Sequence, residues 1–174
     1  MKILSIDPGY ERVGIAILEK NINTPVARGQ KPEALIYSSC FKTDAALLLT
    51  ERISLIGNEI NRVIKKYSPD ALAIETLFFT VNKKTAMGVA EARGVIMYEC
   101  SQAHLKIFEY TPLQIKIAVT SYGKSTKDQV IMMTKKLITM DESITSDDEI
   151  DAIAIGLTCF AHEKSLTSAP NFTK

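Results

Sequence analysis

Apolar and polar positions along the chain fall into two regimes. The first forty residues alternate in short runs. Lys2 to Ile6 is an apolar run stopped by Asp7-Pro8-Gly9, the pattern of a buried strand ending in a turn. Val13 to Leu18 is again strand-like, with Gly14 inside it, which points to a close backbone approach. Residues 20–33 carry Asn, Pro, Gly and charges and read as a loop or hairpin connection, and Ala34 to Phe41 reads as a third strand. Three strands with short connections predict an antiparallel meander.

From Leu49 the period changes. Ile53, Ile56, Ile60, Val63, Ile64 and Tyr67 recur at helical spacing, and Ser68-Pro69-Asp70 ends that helix. Ala71 to Ile74 is a short strand that stops at Glu75. Asn82 to Gln102 is a second long helical pattern, and Leu105 to Phe108 a fifth strand. Thr111-Pro112 has the form of an N-cap followed by proline at the first helical position, for a helix ending near Gly123. Thr126 to Ile138 and Asp147 to Glu163 are the last helices, and the latter turns Ile150, Ile153, Ala154, Leu157 and Phe160 to one side. Strands alternating with helices imply parallel pairing under packed helices, so the expected fold is α/β with a mixed, roughly five-stranded sheet. Residues 1–163 make one domain, and 164–174 read as a flexible tail.

Composition adds exclusions. A content of 46% hydrophobic and 24% charged residues describes an ordinary soluble globular chain. Cys40, Cys100 and Cys159 are scattered, with no CxxC pair and only two histidines, which argues against zinc and for a reduced, cytoplasmic setting. Asp7 interrupts the first apolar run, so no signal peptide is read, and no stretch suits a membrane span. The net charge of +1 hides an uneven distribution: residues 82–136 hold nine Lys/Arg against four acids. That segment could hold phosphates without sequence preference, through Lys83, Lys84, Arg93, Lys116, Lys124 and Lys127.

The candidate chemistry lies in the carboxylates. Asp7 and Glu75 each follow a buried strand, where an unpaired charge is costly. If those strands are parallel neighbours, both acids share the sheet edge at which α/β folds bind ligands. In Asp147-Asp148-Glu149-Ile150-Asp151, Asp148 and Asp151 are i, i+3 on a helix face, and Asp147 and Asp151 are i, i+4. Singly, each acid reads as a turn former or as a complement to the helix dipole. Together they predict a cation held by oxygen alone, which favours Mg²⁺ or Mn²⁺.

These segments resemble the RuvC family of Holliday-junction resolvases, of the RNase H-like superfamily. Ile6-Asp7-Pro8-Gly9 with Gly14 is similar to the family's first motif, and Ala73-Ile74-Glu75-Thr76-Leu77-Phe78-Phe79 to its second. Glu91-Ala92-Arg93-Gly94-Val95 resembles its helical stretch, and Asp148-Glu149-Ile150-Asp151-Ala152-Ile153-Ala154 its final motif. The ordered match runs over about 160 residues, a long span for a one-domain chain. The resemblance implies an RNase H-like nuclease, a homodimer that cuts four-way DNA junctions, and the branch-migration proteins RuvA and RuvB as partners. It implies that Asp7, Glu75, Asp148 and Asp151 hold two Mg²⁺ ions, with Mn²⁺ able to substitute, about 4 Å apart. It prefers Asp148 to Asp147 by motif spacing. It also places Phe78 where the family stacks an aromatic on junction bases, and Lys116 and Lys127 near the DNA backbone. Neither His104 nor His162 is needed as a nucleophile. The 20–33 loop is longer than the family needs. Other readings are a relative acting on structured RNA and a non-catalytic nucleic-acid-binding module. A sugar-kinase or actin-like ATPase would need two large lobes, too much for 174 residues.

Overall fold

The computed structural model describes residues 1–20, 32–77 and 83–163, with the backbone alone for 83–85. Expectations that fall on Phe78, on the side chains of Lys83 and Lys84, on the body of the 20–33 loop and on the 164–174 tail lie outside the described residues. The element order is β1 (Lys2–Asp7), β2 (Arg12–Lys20), β3 (Glu33–Lys42), α1 (Leu49–Tyr67), β4 (Ala71–Glu75), α2 (Lys83–Gln102), β5 (Lys106–Tyr110), α3 (Pro112–Thr120), α4 (Lys127–Leu137) and α5 (Asp147–His162).

The five strands form one mixed sheet in the order β3-β2-β1-β4-β5. β1, β2 and β3 pair antiparallel, whereas β4 runs parallel to β1 and to β5. Lys20 pairs with Glu33 in the register, and their side chains meet at 2.9 Å, so the 20–33 connection does join two paired strands. β1 and β4 each run one residue further than expected, taking in Asp7 and Glu75. β5 is displaced toward its C-terminus, because His104 adopts a left-handed φ of 58° and the chain extends only after Leu105. α3 stops at Thr120, before Gly123, with Ser121 as a left-handed cap at φ 60°.

Alternation along the strands divides the core in two. Leu4, Ile6, Ile15, Ile17, Leu72 and Ile74 face α1 and α2, where Ile56, Ile60, Val63, Ala92 and Ile96 are buried. Ile3, Ala16, Leu18, Ala71 and Ala73 face the other way, against Ile153, Ala154 and Cys159 of α5 and Ile115 and Val130 of α3 and α4. This second face is lined with small residues, and α5 comes close enough to touch every strand. A Cβ on Gly156 would stand 2.6 Å from Leu18 Cδ1 and 2.9 Å from Ser5 Oγ, so a larger residue there would have to push these side chains aside for α5 to lie this near the sheet.

Candidate active site

Three elements deliver four acids to one edge of the sheet. Ile6 is paired with Ile74 in the parallel register, so Asp7 and Glu75, one step further along each strand, end side by side. Asp7 lies opposite Gly14 on β2. The missing side chain at Gly14 admits the first turn of α5: a Cβ there would stand 1.9 Å from the Asp148 carbonyl oxygen and 3.2 Å from Asp7 Cβ. Asp148 and Asp151 are thereby brought over the two strand ends.

The acids raise one another's proton affinity. Burial, then the charges of Glu75, Asp151 and Asp148, push Asp7 up to about 8, with Lys127 working against them. Glu75 is raised to about 7 by burial and then by Asp151. Asp151 is raised by burial, opposed by Lys127, with Asp147 and Asp148 adding to the rise. Asp147 does not act on Asp7, and its side chain is 58% exposed against 26% for Asp148.

Protein cations and donors cover the outer sides of this cluster. Lys127 Nζ lies 3.2 Å from both Asp147 Oδ2 and Asp151 Oδ2. Burial works to lower the Lys127 pKa, but Asp151 and Asp147 carry it above its ordinary value. Arg12 Nη1 stands 3.5 Å from Asp148 Oδ2, and the Cys40 thiol donates to the same oxygen at 3.4 Å. Burial pushes the Cys40 thiol up, which keeps it protonated and a donor at neutral pH. Ser38 Oγ donates to Glu149 Oε2 at 2.8 Å.

Among the described residues no three His, Cys, Asp or Glu side chains converge closely enough to hold a cation as placed. The chemistry of the set nevertheless fits a hard cation. It consists of carboxylate oxygens alone, in which burial and neighbouring acids raise the proton affinity of Asp7 and Glu75, while Asp151 and Asp148 are paired with lysine, arginine and thiol groups. Glu75 and Asp151 also line a cleft of about 210 Å³ with Lys116, Lys127, Pro112, Ile115, Val130 and Ile155.

Comparison with known proteins meets this geometry. The family described as crossover junction endodeoxyribonuclease RuvC matches residues 3–159. The chain belongs to the RuvC family. A crossover junction endodeoxyribonuclease RuvC from Halothermothrix orenii is 44% identical over 157 residues, 90% of either chain. The structure of Thermus thermophilus RuvC superposes with a TM-score of 0.81 at 26% identity, covering 92% of this chain and 94% of that one. T. thermophilus RuvC in complex with Holliday junction substrate gives a TM-score of 0.79 at 26% identity, covering 91% and 92%. The fold is RNase H-like, as the sequence motifs implied.

The basic residues separate on this RuvC scaffold. Lys116 and Lys127 line the cleft with the acids, and Lys124 is exposed on the loop between α3 and α4. Arg93 does not behave as a free phosphate contact. Its Nε donates to the Glu75 carbonyl oxygen at 3.2 Å, and its guanidinium pairs with Glu109. With a side chain only 15% exposed, it braces the ends of β4 and β5. Arg12 and Cys40 are the neighbours that the sequence reading missed. No local pattern marks them; they reach Asp148 only through the pairing of β2 with β3 and the seating of α5.

Proposed function

We propose that the protein is a structure-selective endodeoxyribonuclease that resolves four-way (Holliday) DNA junctions in recombination and repair. The observation that carries the reading is the gathering of Asp7, Glu75, Asp148 and Asp151 at the strand ends, where burial and neighbouring acids raise the pKa of Asp7 and Glu75. The H. orenii relative's name and the Thermus junction complex support four-way DNA as the substrate.

Those four acids would hold two Mg²⁺ ions, or Mn²⁺ in their place, which when bound activate water and stabilise the leaving 3′-oxygen. Bound cations would displace the protons that Asp7 and Glu75 favour without them. Asp148, rather than the outward-lying Asp147, completes the set, because it is the one that acts on Asp7. With a cation on Asp151, Lys127 would be free to face the phosphate backbone beside Lys116 in the cleft, and Lys124 would add a further basic contact from the α3–α4 loop. By resemblance to the family, Phe78 would stack on unpaired bases, and Lys83 and Lys84 would contact phosphates. Positioning and charge neutralisation do most of the work.

A homodimer would present two such sites to two strands of a junction. Met87, 69% exposed, and Tyr98, 59% exposed, leave apolar surface on α2 for a second copy. RuvA and RuvB are the proposed branch-migration partners, and the cytoplasm the proposed compartment. Among the described residues no helix is long and apolar enough to cross a membrane.

The test is Mg²⁺-dependent cutting of a synthetic four-way junction, with linear duplex and structured RNA alongside. The expected result is junction-selective cutting, abolished by Asp7→Asn with junction binding retained. Undiminished cutting by that variant would overturn the site, and preference for the RNA would overturn the substrate.

A further inference from the structure

The sheet register reveals a third participant in the row of acids. Asp7 is paired with Gly14, and Gly14 with Cys40, so the three lie in line across β1, β2 and β3. Paired residues share a face, and this is the face covered by α5. Gly14 is the gap in the row, and the Asp148 backbone sits over it. Cys40, the next residue across, is placed beside the Asp148 side chain.

Asp148 needs holding. It belongs to a mutually repelling set, and its charge acts on Asp7 and on Asp151. As a short side chain in the first turn of α5 with one quarter of its surface exposed, it could relieve that repulsion by swinging out to water. Two groups oppose the swing, and both act on Oδ2. Cys40 donates at 3.4 Å from β3, and Arg12 lies at 3.5 Å from the start of β2. A thiol is a weak donor, and a half-exposed arginine is screened by water, so neither holds much alone. Acting from two strands on one oxygen, they select a single rotamer.

We propose that Cys40 and Arg12 are positioning residues that hold Asp148 by Oδ2 in the site before any cation arrives, leaving Oδ1 to ligate it. The inference rests on the reading of Asp148 as a metal ligand. Cys40 adds an experimental handle, since Cys100 and Cys159 are fully buried and Cys40 is not.

Calorimetric titration of the full chain with Mn²⁺, in the absence of DNA, tests this. Cys40→Ala and Arg12→Ala are expected to weaken Mn²⁺ binding about tenfold, in line with the loss of other groups that orient metal ligands, while Cys40→Ser recovers most of it. Binding of metal-free protein to junction DNA should not change with Cys40→Ala. Wild-type affinity in Cys40→Ala, or an equal loss in Cys40→Ser and Cys40→Ala, would overturn the positioning role. A wild type that takes up no Mn²⁺ would overturn the metal-site reading beneath it as well.

Discussion

A carboxylate at the end of a buried strand avoids an unpaired charge by taking a proton, an ammonium or a metal ion. Asp7 and Glu75 show the first solution and Asp151 the second. Lys127 biases two of the three, because its ammonium lowers the proton affinity of both Asp7 and Asp151. Removing that charge therefore raises both pKa values further. With Lys127→Met, protons compete with Mg²⁺ up to higher pH, so the ascending limb of the pH–rate profile for junction cutting should move to alkaline pH. At neutral pH the rate should fall about 10- to 100-fold, the scale of a lost charged group at a phosphoryl-transfer site. Lys127→Arg should recover part of it. A profile that only drops, without moving, would assign Lys127 to DNA contact alone.

At the level of elements, the site depends on how closely α5 approaches β2. The contact at Gly14 is with backbone, the Asp148 carbonyl, and backbone cannot rotate aside as a side chain can. Gly14→Ala should therefore displace the first turn of α5, carrying Asp148 and Asp151 away from Asp7. Loss of junction cutting by about 100-fold or more is expected, with a melting temperature lower by about 5 °C. Much of this assembly was legible beforehand. An acid straight after a buried apolar run marks a strand end, and the 3.6-residue period marks which acids of α5 share a face. What could not be read is whatever depends on two elements meeting. Helix geometry alone leaves Asp147 and Asp148 equivalent; the family motif prefers Asp148, and it is the Asp148 backbone that α5 seats over Gly14. Arg93 counted as part of a basic segment, but the ends of β4 and β5 draw it inward to Glu75 and Glu109. Cys40 is far in sequence from all four site acids, and only the β2/β3 register together with the seating of α5 places it beside Asp148.

For the whole molecule, the acid cluster trades metal-free stability for the capacity to bind cations. Asp7 has an ordinary value of 3.8 and is raised to about 8 in the fold; Glu75 goes from 4.5 to about 7. Below the unfolded values both states hold these protons, and the fold bears no penalty. As pH rises, the unfolded chain loses the protons first, so the unfolded state binds fewer protons than the native one and native stability falls. The fall continues until the native groups themselves ionise, Glu75 near 7 and Asp7 near 8. Metal-free protein should accordingly melt at least about 5 °C lower at pH 8.5 than at pH 5.5. If Mg²⁺ occupies the site in competition with those protons, as proposed, it should raise the melting temperature more at pH 8.5 than at pH 5.5. Asp7→Asn removes the larger of the two shifted groups, so its metal-free melting temperature should vary less with pH and gain little from Mg²⁺. Parallel thermal melts across that pH range, with EDTA or with Mg²⁺, separate these outcomes. A melting temperature that rises with pH in EDTA would show that the acids are already neutralised by protein cations, with no stored repulsion to favour metal entry.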